Sequence, residues 1–217
     1  MGRLSALLYD RMCRRVELET LGGWRRDLLA PLSGEVLEIG SGTGLNLPFY
    51  PSSVASVILS EPDPHMRNQL RRKLAEARAG VVTVIDASVD ALPLLDGSVD
   101  AVVATLVLCS VPDQRSALAE IHRVLRPSGQ FVFLEHVAAE GRPRLLKWQR
   151  RIEPIWKRLA GNCHLTRRTE AAIEGSGLVL DRVTREEFYP APALVRTSIR
   201  GVARKPGPGG PDAFGSP

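Results

Sequence analysis

Short apolar runs broken by glycine, proline and charge recur along this chain in alternation with longer, periodic stretches. Runs rich in Val, Ile and Leu fall at Glu35–Ile39, Ala55–Ser60, Val81–Ile85, Val99–Thr105 and Gln130–Glu135, the length and composition of strands buried on both faces. Between them the period lengthens. Pro64 to Ala79 predicts a helix with proline in its first turn, and Gln114 to Leu125 sets Leu118, Ile121, Val124 and Leu125 at helical spacing. Arg126-Pro127-Ser128-Gly129 then stops that helix and turns the chain into the next strand. An N-terminal helical region is expected over residues 1–30, its signal running from Leu4 to Ala30 with an interruption at Gly22-Gly23. A last helix, about Arg167 to Glu174 and capped by Thr166, precedes strands at Val179–Arg185 and Val195–Val202, which form a terminal hairpin. The expected class is α/β, a doubly wound, mostly parallel seven-stranded sheet with a terminal antiparallel hairpin. Its ligand crevice lies beyond the C-terminal strand ends.

One segment departs from the rhythm. Residues 141–165 read as an inserted helical lid, in which Leu145, Trp148, Ile152, Ile155, Trp156 and Leu159 share a side and Pro154 splits the helix in two. The same segment concentrates the charge. Seven bases between Arg142 and Arg158 face one acid, Glu153, whereas the whole 217-residue chain carries only +5. A basic amphipathic stretch of this kind reads either as a solvated face or as a peripheral membrane contact through residues 142–158. It is not interleaved with a nucleic-acid recognition motif, so no nucleic-acid partner is expected.

Composition bounds the rest. With 44% hydrophobic and 24% charged residues, the chain reads as a single domain over 1–204 followed by a Pro/Gly-rich disordered tail, 205–217. Cys13, Cys109 and Cys163 are odd in number and lack metal-type spacing, so the sequence predicts neither a disulfide framework nor a metal site. Leu4 to Leu8 is far too short for a signal peptide core or a membrane span, and a soluble, cytoplasmic protein is expected.

The chemistry begins where the first strand meets Gly40-Ser41-Gly42-Thr43-Gly44. Three alternate glycines let backbone lie against a ligand without Cβ atoms in the way. A dinucleotide fingerprint requires G-x-G-x-x-G, but Gly44 arrives one position early and Leu45 stands where the last glycine belongs, which disfavours NAD. Glu61, after the second strand, is placed to accept hydrogen bonds from both ribose hydroxyls. Asp86, after the third, is placed to accept from an adenine amine or is an ordinary turn acid.

These three stations resemble the class I S-adenosylmethionine-dependent methyltransferases, a Rossmann-like family, over roughly Leu32 to Glu140. Asp96-Gly97-Ser98-Val99-Asp100-Ala101-Val102-Val103 is similar to the family's fourth strand and its approach. Arg123-Val124-Leu125-Arg126-Pro127-Ser128-Gly129 is similar to its R-V-L-x-P-G-G stretch, with Ser128 for a glycine. The resemblance implies S-adenosyl-L-methionine as cofactor. It places Glu38, Gly40, Ser41, Gly42 and Gly44 around the methionine portion, Glu61 and Pro62 at the ribose, Asp86 and Ala87 at adenine, and Thr105 and Leu106 beside the sulfonium. A narrower resemblance, carried by Asn46 with Phe49-Tyr50-Pro51, Thr105 to Val111, Glu135 to Glu140 and Asn162 to Arg167, is to the methyltransferase-like alkyl thiol S-methyltransferases. Those membrane-associated members carry an N-terminal hydrophobic anchor that this sequence does not show.

The acceptor implied is a small lipophilic molecule, first a thiol. The alternatives are N-, O- or C-methylation of a phospholipid amine, phenol or quinone-like ring, or a non-catalytic module that only binds the cofactor. The cofactor carries the reactive chemistry, so the chain has to align the acceptor and exclude water. A thiol pKa near 8.5 asks for little base assistance, which suits a sequence without a strong acid-base constellation. His136, ending the fifth strand, is the candidate for orienting or deprotonating the acceptor; the alternative is a histidine hydrogen-bonded in the core. Cys109 either lines the acceptor pocket or is a small buried hydrophobe, and Trp148 and Trp156 either wall that pocket or pack the insertion onto the core.

Overall fold

The computed structural model describes residues 11 and 13–207; the expectations for residues 1–10 and 208–217 lie outside them. Its seven-stranded sheet has the order β3-β2-β1-β4-β5-β7-β6. The strands are β1 (Gly34–Ile39), β2 (Val54–Ser60), β3 (Val81–Ile85), β4 (Val99–Thr105), β5 (Leu125–His136), β6 (Val179–Glu187) and β7 (Thr197–Arg204). The first five pair in parallel, while β7 runs antiparallel between β5 and β6. This is the expected doubly wound class with its terminal hairpin.

Alternation along the strands explains why both faces are covered. Leu37, Ile39, Val102, Ala104, Phe131 and Phe133 join one apolar cluster with Leu118, Ile121 and Val124 of α3 (Gln114–Val124) and Ile173 of α5 (Thr169–Glu174). Their neighbours Val36, Ala101, Val103, Val132 and Leu134 join the other, with Leu28 and Leu29 of α1 (Gly22–Leu29) and Leu70 of α2 (Pro64–Arg72). Consecutive strand residues point to opposite faces, so the continuous apolar runs follow from a sheet clad by helices on both sides.

Several local expectations are corrected. Gly22-Gly23 does not interrupt the first helix; the irregularity is a π-helical turn at Glu17–Leu21, and α1 continues directly from it. The helix from Pro64 ends at Arg72 rather than Ala79, followed by a 3₁₀ turn at Leu74–Glu76; Asp63 caps its start by accepting from the His65 and Met66 amides. Thr166 caps nothing, because its hydroxyl donates to Glu153 (2.7 Å) and α5 starts only at Thr169. Arg126 to Gly129 does not separate helix from strand: β5 already pairs at Leu125, and the four residues bulge out before pairing resumes at Gln130. The tail is ordered through 207, since the Lys205 carbonyl and amide bond Ser128 and Gly129 and its ammonium donates to Leu125 O (2.8 Å).

The inserted segment is one helix, α4 (Pro143–Leu159), with Pro154 inside it. Arg150, whose carbonyl loses its helical partner there, and Pro154 are both exposed, so water takes over that bond at little cost. Its packing splits the expected stripe, leaving Leu145, Ile152 and Trp156 half-buried and the other three outside. The buried residue is Gln149, whose amide bonds Ala139 N (2.8 Å), Val137 O (3.3 Å) and Leu194 O (2.9 Å), the last in the short helix α6 (Ala193–Arg196). Trp148, Ile155 and Leu159 are 56%, 62% and 80% exposed. No described helix is long and apolar enough to cross a membrane.

The hairpin's seat against β5 depends on Gly201, where an added Cβ would overlap the Arg182 backbone oxygen and lie 3.0 Å from the Phe133 ring. Gly201→Ala is therefore predicted to cost about 1–3 kcal/mol. A lower urea midpoint at unchanged slope is the expected readout.

Candidate active site

The order of the sheet reverses between β1 and β4, and the crevice between their C-terminal ends is where such folds bind ligands. Most of the residues that the sequence singled out for the cofactor fall on this edge, with Glu38 one residue inside the end of β1. Gly40, Ser41, Gly42 and Gly44 follow β1, Glu61 and Pro62 follow β2, Asp86 and Ala87 follow β3, Leu106 follows Thr105 at the end of β4, and His136 ends β5.

The three glycines have separate reasons for being there. All adopt positive φ. A Cβ on Gly40 would stand 2.7 Å from both Val107 methyls, and one on Gly44 would stand 2.7–2.8 Å from Leu70 and Leu47. Those two let neighbouring segments close in. Only Gly42 faces open space, its nearest neighbour being the Gly40 carbonyl at 3.9 Å. Its amide donates to Glu61 Oε2 (2.8 Å), and Glu61 Oε1 takes the Asp63 amide (2.8 Å). Burial raises the Glu61 carboxyl above its ordinary range, and the two amides offset part of that. Next along the edge, Asp86 is held in a fork by both terminal nitrogens of Arg67, each at 2.7 Å, and the Ala87 carbonyl takes the Ser60 hydroxyl (2.7 Å).

Beneath the glycine loop lies a polar cluster that joins Glu38 and Thr105, both named from the sequence, to Arg25, which sequence reasoning missed. Glu38 is buried and receives the Tyr50 hydroxyl at 2.5 Å; burial lifts its carboxyl to about 7, against the pull of Tyr50 and Arg25. Arg25, 3% exposed, donates to Asn46 Oδ1 (2.8 Å), to Thr105 Oγ1 (2.8 Å) and to Glu17 (3.0 Å). The side chain of Thr105 is thus engaged by α1. An arginine inside an amphipathic N-terminal helix carries no motif, so only its partners identify it.

Across the crevice, Glu135 organises the loop after β4. Its carboxylate accepts from the amides of Val107 (2.9 Å), Leu108 (2.9 Å) and Cys109 (3.2 Å). Leu106 makes the preceding turn at φ +59°. His136, 4% exposed, directs Nε2 to Cys163 Sγ at 2.9 Å, and its Nδ1 has no partner among the described residues. Contact with Cys109 and with the imidazole holds the Cys163 thiol low, while that contact and burial push Cys109 up. One surface groove, lined by Glu17, Gly22, Phe49 and Lys73, reaches Gly44 of the glycine loop, and a second, lined by Val137, Ala138, Arg167 and Thr169, opens beside the end of β5.

Comparison with known proteins agrees with this geometry. A family model described as "Methyltransferase domain" matches residues 37–133, the span from β1 through most of β5. The chain is 38% identical to the human thiol S-methyltransferase TMT1A over 197 residues, covering 86% of this chain and 80% of the relative. It is 32% identical over 139 residues to the ubiquinone/menaquinone biosynthesis C-methyltransferase UbiE of Citrifermentans bemidjiense, covering 62% and 56%. A solved geranyl diphosphate methyltransferase in complex with SAM superposes with a TM-score of 0.63 at 17% identity, covering 85% and 84%, a likeness of fold. This chain belongs to the S-adenosylmethionine-dependent methyltransferases, in the group that includes these thiol S-methyltransferase relatives.

Proposed function

We propose that the protein methylates a small lipophilic thiol. The observation that carries this reading is the meeting of Cys109, His136 and Cys163, with the buried carboxylates Glu135 and Glu38 both engaged. Glu135 is occupied by three amides, and Glu38 lies under the glycine loop with Tyr50 on it. A thiol is already close to ionising at neutral pH, whereas a carbon or oxygen nucleophile needs a base. The 38% identity to a thiol S-methyltransferase over most of both chains supports the same acceptor. A cytosolic setting, where cysteines stay reduced, suits the cluster.

The residues fit S-adenosylmethionine, which when bound supplies an activated methyl group. Gly42 leaves space and an amide at the crevice. Glu61 exchanges its two backbone donors for ribose hydroxyls, with Pro62 alongside; Asp86 and Ala87 border adenine. Ser41 holds the loop's shape through its bond to the Glu38 carbonyl (3.2 Å), and Thr105 and Leu106 pass the reacting methyl. His136 is already hydrogen-bonded to a thiol, so we assign it a positioning role rather than that of the acceptor's base. α4 covers this end.

The outer side of α4 is also the surface we assign to membrane contact. Exposed Trp148, Ile155 and Leu159 lie along one side, flanked by Arg144, Lys147, Arg151 and Arg158, with Arg151 over the Trp148 ring at 5.9 Å. Apolar insertion together with basic residues near anionic headgroups is how a helix lies in a membrane surface.

Three outcomes are expected. Isotope-labelled methyl donor, offered with alkyl thiols, amines, phenols and quinols, should give labelled thioethers; label in another class and none in any thiol would reassign the acceptor. Cofactor affinity should rise with pH up to about 7 and then level. A bound cation favours the ionised Glu38 carboxylate, so binding below its pKa releases a proton, and Glu38→Gln should flatten this dependence in calorimetry. Replacing Trp148, Ile155 and Leu159 by alanine should weaken binding to phosphatidylserine-containing vesicles about tenfold or more, with methylation of a water-soluble thiol retained.

A further inference from the structure

We propose that Cys109, His136 and Cys163 form a zinc site with one open position, and that the acceptor thiol binds the ion there as its thiolate. The second half rests on the thiol reading above; the first does not. The three side chains come from separate segments, namely the loop after β4, the end of β5 and the turn after α4. Their donor atoms all lie within 4.8 Å of one another, and no fourth His, Cys, Asp or Glu joins them among the described residues.

The geometry needs only small adjustment. Tetrahedral zinc, with Zn–S about 2.3 Å and Zn–N about 2.0–2.1 Å, sets its donors roughly 3.4–3.8 Å apart. The present range, from the 2.9 Å contact of His136 with Cys163 to the 4.8 Å limit of the cluster, brackets those values. Two thiolates and an imidazole are soft donors that select zinc over magnesium or calcium. Two thiolates also cancel the charge of a divalent ion, which suits residues that are 2%, 4% and 9% exposed.

The surroundings hold the donors in place. Glu135 anchors the Cys109 amide, and the Cys109 carbonyl receives the His164 amide at 2.8 Å, so the two cysteine-bearing segments are tied beside each other. Asn162 adds a bond to Ser110 O at 2.9 Å, and the turn that delivers Cys163 passes through positive φ at Gly161 and Asn162. Among the described residues the imidazole has Cys163 as its one hydrogen-bonding partner, Nδ1 being buried without one. The ring's hydrogen bonding is thus directed to the cluster. Cys109 Sγ stands 3.5 Å from the carbonyl of Leu106, the residue assigned above beside the reacting methyl, so the cluster adjoins the segment where the acceptor is proposed to bind.

The step balances without any redox partner. The acceptor thiol gives its proton to solvent and binds as thiolate, and its sulfur lone pair forms the new S–CH₃ bond. The S–CH₃ bond of the sulfonium breaks with its electrons retained on that sulfur. The product is a neutral thioether, a weaker ligand than a thiolate, and it leaves. Zinc keeps its charge throughout.

The full chain, purified under reducing conditions and stripped with chelator, should take up one equivalent of Co²⁺. The expected spectrum combines thiolate-to-cobalt charge-transfer absorption with the visible bands of a tetrahedral ion, and Zn²⁺ should displace it. Cys109→Ser and Cys163→Ser should each weaken uptake by about 100-fold, while calorimetry shows cofactor affinity unchanged. An alkyl thiol added to the cobalt form should shift both sets of bands, and chelation should abolish thiol methylation until zinc is restored. A folded, cofactor-binding wild-type protein that takes up neither ion, or binds cobalt without the charge-transfer band, overturns the site. Uptake with bands indifferent to thiol and methylation indifferent to chelator overturns the acceptor's place on the metal. If the metal binds as described yet every thiol fails as substrate while another acceptor is methylated, the thiol reading falls and the metal site stands.

Discussion

Glu135 is the contact on which the β4–β5 end of the crevice depends. A carboxylate buried at the end of β5 accepts from three consecutive amides of the loop that leaves β4. Those amides have no strand to pair with, and each would cost about 1–3 kcal/mol if left buried and unsatisfied. Burial drives the carboxyl up to about 7 while the amides favour its ionised form. From this one interaction follow the turn at Leu106, the approach of Val107 to Gly40 and the position of Cys109.

A second buried acid does the corresponding work at the cofactor end. Glu38, with Tyr50 bonded to it, sits where the glycine loop departs from β1, while Arg25 reaches from α1 to Asn46 and Thr105. The N-terminal helix is thereby linked to the ends of β1 and β4. The two acids lie on either side of the reversal in strand order, and each is held by hydrogen bonds made within the protein. Both ends of the crevice are thereby shaped before a ligand arrives.

The inserted helix shows how packing can split an apolar pattern. Its amphipathic stripe predicts one inward apolar face, yet Leu145, Ile152 and Trp156 are only half-buried, it is Gln149 that is fully buried, and Glu153 receives the Thr166 amide and hydroxyl. The segments beneath it are irregular backbone, with amides and carbonyls at 137, 139, 166 and 194 that need partners. Polar side chains meet that need and Leu or Trp cannot. Trp148, Ile155 and Leu159 are left facing outward among arginines, while Leu145, Ile152 and Trp156 stay half-buried.

The sequence by itself determined the sheet, its seven strands and the cofactor edge. These rest on short-range facts: apolar runs of strand length, glycines where the chain turns sharply, and acids one residue beyond strand ends. It also marked Gly42, Glu61, Asp86 and Thr105 as neighbours, because parallel order brings successive strand ends to one side. What only tertiary structure decided are contacts between residues far apart in the chain. Arg25 meets Thr105 across 80 positions, and His136 meets Cys163 across 27. Neither pair has a local spacing to betray it, since the cysteines and histidine arrive on three different segments whose meeting is set by Glu135 and the turn after α4. Periodicity records which side of an element is apolar, but which polar backbone it must also satisfy is known only once the partner segments are in place.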